Sequence, residues 1–280
     1  MNLSLLRKEN IVLEDYLDTA ERAARAGGEI LTAMQGSIHA RSKGRNDLVT
    51  EADLASQQAI RDLLLNRYPE HGFVGEESEG ATDNLARSLE DPDHRDSFRW
   101  IVDPLDGTTN YIHGMPHYCV SIGLERSGEL LAGVVFDPVS GECFRAVQGG
   151  GAELDGQPLE VSGCQQVNEA LIAFGFAPDV RPGAPEIAQF LKIMHACRSI
   201  RRMGSAALNL CYIAAGRMDA YVAGCAKAWD VAAGALIVQE AGGHITGIDG
   251  GTFDLKNPHF VCAATPHLHQ QILAILAQVE

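Results

Sequence analysis

Long apolar runs are missing from this sequence. No stretch of about 18 uninterrupted apolar residues, the length that spans a bilayer, occurs in its 280 residues. The first residues are interrupted by Arg7, Lys8 and Glu9 before an apolar run of signal-peptide length develops. The sequence therefore predicts neither a membrane span nor export, and we expect a cytoplasmic protein with no membrane partner.

Paired cysteines and basic residues are also scarce. The seven cysteines are odd in number and include no Cys-x-x-Cys pair, which indicates reduced thiols rather than a disulfide framework or a zinc site. Lys and Arg number 22 against 37 Asp and Glu, so the formal net charge is −15. A charge of that sign offers no basic surface to a nucleic-acid backbone, and we expect no direct nucleic-acid partner.

The sequence does contain enough apolar material for a large core, because 46% of its residues are hydrophobic. Its first half combines two amphipathic helices with strand-like runs joined by short Gly- and Pro-containing links, which is typical of an antiparallel meander. Its second half alternates strands with helices, which is typical of an α/β layer arrangement. We predict an α/β protein, α+β in its N-terminal half, with one domain at residues 1–160 and a second at residues 161–280.

The predicted elements follow from apolar periodicity and from turn residues. Helices are predicted at 14–34, from Thr50 to Pro69, at 185–197, 205–215 and 230–241, and from Pro266 onward. Strands are predicted at 73–74, 98–102, 117–126, 129–137, 141–148, 170–177, 199–203, 219–222 and 260–264, with a hairpin at 243–253.

The stretch Phe98–Asn110 carries the most distinctive chemistry. Asp103 and Asp106 follow an apolar, β-rich run, and the intervening proline predicts a rigid bend that turns both carboxylates to one side. The bend also frees the Leu105 carbonyl, and the run Gly107-Thr108-Thr109-Asn110 suits the start of a helix, where N–H groups attract anions. Such oxygen ligands suit Mg²⁺, so the motif predicts adjacent cation and phosphate sites. The alternative is an ordinary turn after a core strand.

Three other carboxylates stand at the ends of predicted elements. Glu76 follows a short strand, Asp53 lies three residues after Thr50 in the pattern of a capping box, and Asp230 stands where a helix begins. Asp53 and Asp230 therefore each have a structural interpretation as a helix cap and a functional one as part of an acidic site. Glu76 is either surface or the rim of an active site.

Taken together, these motifs are similar to the signatures of the inositol monophosphatase family. The resemblance covers nearly the whole chain. It implies a layered αβαβα fold, Mg²⁺-dependent hydrolysis of a small phosphorylated polyol, inhibition by lithium, and a homodimer. The matching segments are Asp47-Leu48-Val49-Thr50 with Asp53, Gly75-Glu76-Glu77-Ser78, Asp103-Pro104-Leu105-Asp106-Gly107-Thr108-Thr109-Asn110, Gly204-Ser205-Ala206, Trp229-Asp230 and Glu240-Ala241-Gly242-Gly243.

The resemblance also assigns roles to individual residues. Thr108 would orient the attacking water together with Glu76, and Asp53 would be the hydrogen-bond partner of Thr108. The Gly107 and Thr108 amides would hold the phosphate. Two or three Mg²⁺ ions would be held by Glu76, Asp103, the Leu105 carbonyl, Asp106 and Asp230, and further substrate contacts would come from Thr109, Ser205, Ala206, Lys227 and the position of Ala223.

The sequence departs from the family pattern at Ala223. Family members that act on inositol carry a glutamate there, whose carboxylate accepts hydrogen bonds from the ring, and alanine cannot accept them. Lys227, closer in sequence to Asp230, offers a cation instead. The resemblance favours inositol monophosphate but leaves histidinol phosphate, 3′-phosphoadenosine phosphates, fructose 1,6-bisphosphate and NADP open as substrates. A regulatory protein that binds the transcription machinery is an alternative of another class.

Overall fold

The described part of the protein contains a seven-stranded sheet and a five-stranded sheet, with helices packed on both. The computed structural model describes residues 3–36, 41–44, 47–78, 80–81, 97–177 and 180–279. A short antiparallel pair, β1 (Arg41–Gly44) and β2 (Asp47–Val49), precedes the two sheets in the chain.

The first sheet contains the predicted meander. Its seven strands lie in the order β3-β4-β5-β6-β7-β8-β9. The first pair is parallel, and each later pair is antiparallel. The strands are β3 (Gly72–Gly75), β4 (Arg99–Asp106), β5 (Cys119–Arg126), β6 (Glu129–Phe136), β7 (Cys143–Val147), β8 (Gly151–Leu154) and β9 (Gln157–Pro158).

The second sheet takes its strands from the second half of the chain. Its five strands lie in the order β11-β10-β12-β14-β13. β10 is parallel to β11 and β12, whereas β14 is antiparallel to β12 and β13. The strands are β10 (Leu171–Gly175), β11 (Ser199–Arg201), β12 (Ala220–Ala223), β13 (His244–Gly247) and β14 (Phe260–Ala263).

The helices separate and cover these sheets. Helices α1 (Leu3–Met34) and α2 (Glu51–Arg67) pack on the first sheet. Helices α5 (Ala206–Ala214) and α6 (Ala228–Glu240) lie between the sheets, and α4 (Pro185–Ala196) and α7 (Pro266–Leu276) cover the outer face of the second sheet. This layering confirms the predicted αβαβα fold. Helix α3 spans Thr108–Ile112, and a 3₁₀ turn lies at Val167–Glu169.

Two glycines let α6 approach the first sheet closely. A Cβ atom added at Gly123 would lie 2.8 Å from the Ala232 Cβ, and one added at Gly133 would lie 2.9 Å from the Ala233 Cα. Both glycines belong to neighbouring strands, β5 and β6, so the helix rests on a strip of sheet that has no side chains. This contact places the first turn of α6, with Asp230, beside the first sheet.

Two predicted details of secondary structure are wrong. The strand predicted at 98–102 does not end at Val102: β4 continues to Asp106, and an irregularity in its register with β5 between Asp103 and Asp106 takes up the bend. A β-bulge of this kind re-aims side chains without ending the strand. No hairpin forms within 243–253, because β13 pairs with β14, whose residues come after a loop. The proposed division of the chain at residue 160 stays a prediction.

Within the described ranges, none of the helices is both long enough and apolar enough to cross a bilayer.

Candidate active site

The end of β4 buries two carboxylates in the first sheet. Asp103 is 2% exposed and Asp106 is 8% exposed. The Leu105 N–H donates to Asp103 Oδ1 at 2.9 Å, and Ser56 Oγ of α2 donates to the Pro104 carbonyl at 3.0 Å. The bulge therefore holds both carboxylates at the edge where the sheet meets α2 and α6.

Gly107 makes the turn from β4 into α3. Its φ is 98°, in the left-handed region, and an added Cβ would lie 3.0 Å from the His117 carbonyl oxygen. Both observations require glycine there. The predicted helix start at Thr108 is confirmed, although α3 is only five residues long. Thr109 is exposed on its first turn and lies apart from the cavity described below.

Asp106 bonds to the N-terminal end of α5. Ser205 Oγ donates to Asp106 Oδ2 at 2.5 Å, and the Ala207 N–H donates to the same oxygen at 2.7 Å. Ser205 also caps α5 by accepting from the Leu208 N–H at 3.2 Å. Burial raises the pKa of Asp106, and the hydrogen bonds from Ser205, Ala207 and Ala206 oppose that rise. Ser205 and Ala206, which the family resemblance assigned to substrate contacts, therefore also help to position Asp106, a predicted metal ligand.

Asp230 lies in the first turn of α6 rather than at its N-cap, which is Lys227. The Lys227 N–H donates to Asp230 Oδ2 at 2.8 Å, so the carboxylate satisfies a backbone donor at the helix start. Ser121 Oγ of β5 donates to the Trp229 carbonyl at 3.1 Å and ties this turn to the first sheet. The structural and functional interpretations of Asp230 are therefore compatible.

The acidic side chains act on one another electrostatically. Burial raises the pKa of Asp103 well above its usual range, and the charges of Glu76, Asp106 and Asp230 raise it further. Burial, then Asp106 and Glu76, raise the pKa of Asp230 in the same way. Glu76 is brought to this group by β3, since its N–H donates to the Val102 carbonyl at 3.0 Å. The structure thus brings together carboxylates that are far apart in sequence.

These carboxylates suit a metal in their chemistry. An all-oxygen set of mutually repelling carboxylates, of which Asp103 and Asp106 are buried, is the donor set that hard divalent cations prefer, and a cation would remove the repulsion. Within the described ranges, no three acidic, histidine or cysteine side chains are drawn together closely enough to form a metal site on their own. Metal coordination by Glu76, Asp103, Asp106 and Asp230 therefore stays a prediction.

Asp53 serves both as a helix cap and as a neighbour of Thr108. Its Oδ2 accepts from the Thr50 N–H at 3.0 Å and from Thr50 Oγ1 at 2.5 Å, which confirms the predicted capping box. Thr108 Oγ1 lies 3.3 Å from Asp53 Oδ1 and 3.0 Å from the Leu105 carbonyl oxygen. The Thr108 hydroxyl has one proton, which it donates to one of these two acceptors. Its lone pairs therefore point away from Asp53 and the Leu105 carbonyl.

A cavity of about 220 Å³ adjoins Asp106 and Asp230. Sequence reasoning missed several residues of its wall, although the paired arginines directly before Met203 and Gly204 were a usable signal. Ala223 does not reach the cavity: it is fully buried in β12. The wall is formed by Asp106, Phe174, Gly175, Phe176, Arg202, Gly204, Ser205, Ala206, Asn209, Tyr221, Cys225, Ala226, Lys227 and Asp230.

The five-layer fold, with mutually repelling carboxylates beside a small cavity, defines the class of layered α/β phosphatases. The chain belongs to the inositol monophosphatase family, whose family model matches residues 12–280. Enzymes of this family are phosphatases that are generally metal-dependent and act on small phosphorylated substrates.

Named relatives cover nearly all of the chain. It is 40% identical to the Nus factor SuhB of Pasteurella multocida (strain Pm70) over 265 residues, which are 93% of this chain and 95% of that protein. It is 39% identical to inositol monophosphatase 1 of Solanum lycopersicum over 268 residues, 94% of this chain and 95% of that protein. The solved inositol monophosphatase of Anabaena (Nostoc) sp. PCC 7120 matches with a TM-score of 0.82 and 33% identity, covering 96% of this chain and 97% of that one.

Proposed function

We propose that this protein is a Mg²⁺-dependent phosphomonoesterase that hydrolyses a small phosphorylated polyol, with inositol monophosphate as the leading substrate. The observation that carries the proposal is the mutual electrostatic effect of Glu76, Asp103, Asp106 and Asp230 at one edge of the first sheet. The name of the relative from Solanum lycopersicum, inositol monophosphatase 1, supports inositol monophosphate as the first substrate to test.

The residues proposed to hold two or three Mg²⁺ ions are Glu76, Asp103, the Leu105 carbonyl, Asp106 and Asp230. When bound, such ions lower the pKa of water and stabilise negative charge on the phosphoryl group and on the departing oxygen. Burial of Asp103 and Asp106 favours this role, because charge interactions are stronger away from bulk water.

The protein's own groups are proposed to position water and phosphate. Thr108 Oγ1 gives its proton to the Leu105 carbonyl or to Asp53, so its lone pairs accept a hydrogen bond from the attacking water. Glu76 would accept the proton of that water. The Gly107 and Thr108 N–H groups at the start of α3 would donate to the phosphate oxygens.

The proposal is tested by a panel of phosphate esters assayed with Mg²⁺. The panel contains inositol 1-phosphate, histidinol phosphate, fructose 1,6-bisphosphate, 3′-phosphoadenosine 5′-phosphate and NADP. Asp106→Asn should lose most turnover on every accepted ester while circular dichroism shows an intact fold, and lithium should inhibit the wild type. Asp254→Asn, an exposed aspartate away from the site, is the matched control. Near-normal activity of Asp106→Asn would remove Asp106 from the site.

A second candidate function is favoured by one comparison. The Pasteurella relative, 40% identical, is named a Nus factor. We infer a regulatory role through a protein partner, since the net charge of −15 disfavours direct RNA contact. Cells that carry Asp103→Asn separate the two functions: a purely catalytic protein would lose its cellular role with its turnover, and a regulatory one would keep that role.

The assembly proposed from the family resemblance is a homodimer in the cytoplasm. Light scattering coupled to size-exclusion chromatography measures its mass, and a mass near that of the 30.1 kDa chain would contradict the dimer. Cell fractionation tests the compartment.

A further inference from the structure

Two cationic side chains line the cavity beside Asp106 and Asp230. Arg202 comes just after β11, and Lys227 is the N-cap of α6, so the two approach from different elements. Both side chains are exposed. Their charge stands out in a protein whose formal net charge is −15.

Within the described ranges, neither cation forms a salt bridge within 4.0 Å of an acidic side chain. The neighbouring Arg201 differs, since its Nη1 donates to Ser199 Oγ at 2.7 Å and to the Ile200 carbonyl at 2.9 Å. The Arg202 guanidinium instead stands 5.1 Å over the centre of the Phe176 ring, another residue of the cavity wall. Arg202 is thus held at the cavity by an aromatic face, and its hydrogen-bond donors stay available to a ligand.

The acidic side chains of the cavity wall are Asp106 and Asp230. Each already accepts hydrogen bonds from its own surroundings: Asp106 from Ser205 and Ala207, and Asp230 from the Lys227 backbone. Both also belong to the carboxylate group proposed to hold metal. The Lys227 charge acts on Asp230 and opposes the rise of its pKa, whereas Arg202 forms no salt bridge with the acids of the described wall.

Asn209 adds a separate sign of a ligand. Its side chain is 4% exposed and lines the cavity, and its Oδ1 has no hydrogen-bond partner among the described residues. The Asn209 side chain hydrogen-bonds the Tyr221 hydroxyl of the same wall, but its Oδ1 still lacks a donor. An amide oxygen can only accept, and leaving it unpaired is unfavourable. The cavity of about 220 Å³ favours a compact ligand, since pockets for larger molecules start near 300 Å³.

We propose that this cavity binds the part of the substrate that is not transferred, a compact hydroxylated carbon skeleton that carries a second anionic group. Arg202 and Lys227 contact that anion, a carboxylate or a second phosphate, and Asn209 Oδ1 accepts from a hydroxyl. The inference rests on the proposed phosphatase function and narrows its substrate from polyol phosphates in general to those with a further negative charge. It therefore ranks inositol monophosphate, the first substrate to test, below esters that carry a second anion.

Turnover of matched ester pairs with Mg²⁺ tests the inference. Glycerol 2-phosphate and 2-phosphoglycerate differ by a carboxylate, whereas inositol 1-phosphate and inositol 1,4-bisphosphate differ by a phosphate. We expect kcat/KM to be at least about tenfold higher for the more anionic member of one pair, the scale of one hydrogen bond between charged groups. The pair that responds identifies the second anion as carboxylate or phosphate. Equal kcat/KM within both pairs would overturn the inference.

Single variants locate the preference. Arg202→Gln and Lys227→Gln should each lower the ratio of kcat/KM within the responding pair towards one. Arg201→Gln, whose guanidinium bonds its own strand, is the matched control and should keep the wild-type ratio. A preference that survives in both cavity variants would place the anion elsewhere and overturn the inference.

Binding without turnover separates this inference from the proposed function. Isothermal titration calorimetry with Ca²⁺, which accepts similar oxygen ligands, measures the affinity of the same ester pairs. An affinity difference of about tenfold that disappears in Arg202→Gln supports the cationic contacts even if no ester is hydrolysed, a result that would refute the proposed function alone. If the affinities within each pair were equal in an enzyme that does hydrolyse phosphate esters, the binding of a second anion would be refuted and the proposed function would stand.

Discussion

Ser205 Oγ donates a 2.5 Å hydrogen bond to Asp106 Oδ2, although the two residues are 99 positions apart in the chain. Asp106 ends β4 of the first sheet, and Ser205 is the N-cap of α5, a helix from the second half. One hydroxyl therefore caps a helix and orients a buried carboxylate. The candidate site forms only when both halves of the chain are packed together.

Ser205→Ala should reduce both stability and activity. The variant loses a helix cap, worth about 1 kcal/mol, and a hydrogen bond to a buried carboxylate, worth about 1.5–3 kcal/mol. Because Asp106 loses its orienting donor, we also expect kcat to fall about tenfold or more. Urea unfolding and steady-state kinetics measure the two effects.

Thr265→Ala is the matched control for that variant. Thr265 caps α7 by accepting from the Leu268 N–H at 3.2 Å, on the outer side of the second sheet. It should lose stability by about 1 kcal/mol and keep its activity. If Ser205→Ala behaved like Thr265→Ala in both measurements, the link between Ser205 and Asp106 would have no role in turnover.

Thr108→Val should lose turnover with little change in fold. Valine has nearly the same shape but no hydroxyl, so water loses the acceptor that Asp53 and the Leu105 carbonyl hold in place. We expect kcat to fall by roughly 10²-fold, at the lower end of the range for proton-transfer groups. Thr108→Ser keeps the hydroxyl and should retain most turnover. Equal loss in the valine and serine variants would point to packing rather than to the hydroxyl.

Asp103→Asn should stabilise the metal-free protein while it abolishes turnover. In EDTA the buried Asp103 carboxylate is repelled by Glu76, Asp106 and Asp230, and asparagine removes that repulsion. We expect the free energy of unfolding to rise by roughly 1 kcal/mol, the usual scale for relieving unfavourable charge. Differential scanning calorimetry in EDTA measures the change.

The control for Asp103→Asn is a buried aspartate outside the site. Asp137 is 3% exposed, and its Oδ1 accepts from the Val139 N–H at 2.8 Å and the Ser140 N–H at 3.2 Å. Asp137→Asn weakens these bonds and should lower stability by about 1 kcal/mol. The interpretation of Asp103 as a site residue would be wrong if both variants were destabilised alike.

Mg²⁺ should raise the Tm of the wild type and have little effect on Asp103→Asn. A ligand that binds only the folded state stabilises it by about 2.7 kcal/mol at a concentration of 100 times its Kd. Titration of Mg²⁺ in a thermal shift experiment, after EDTA treatment and dialysis, measures the effect. A Tm that does not respond to Mg²⁺ would contradict magnesium as the stabilising ion, and the same titration with Mn²⁺ and Ca²⁺ would test other cations.

Acid should destabilise the protein through His269. Burial lowers the pKa of this histidine from 6.5 to about 4, and its Nε2 lies 2.9 Å from Thr246 Oγ1. The folded pKa is below the unfolded one, so this contribution to stability is complete above pH 6.5 and is lost as the pH falls from 6.5 towards 4. The loss is at most about 3 kcal/mol.

His269→Gln tests that assignment, since glutamine does not titrate. The slope of the unfolding free energy against pH between 6.5 and 4 should be smaller in the variant than in the wild type. An unchanged slope in His269→Gln would show that other groups cause the acid loss.

The sequence by itself determined most of the local structure and the identity of the acidic residues. The capping box of Thr50 and Asp53, the serine cap of α5 and the meander of β5, β6 and β7 all follow from patterns spanning a few residues. Hydrophobic periodicity, helix caps and turns depend on residues that are near neighbours in the chain, so they can be predicted from the sequence.

Only the tertiary structure decided how those residues meet. The bond between Ser205 and Asp106, the pairing of β13 with β14, and the cavity wall shared by Arg202 and Asn209 all join segments that are distant in sequence. The burial of a side chain and its hydrogen-bond partners depend on that packing, and so does the raised pKa of Asp103. A local sequence pattern cannot show which distant part of the chain will cover a side chain.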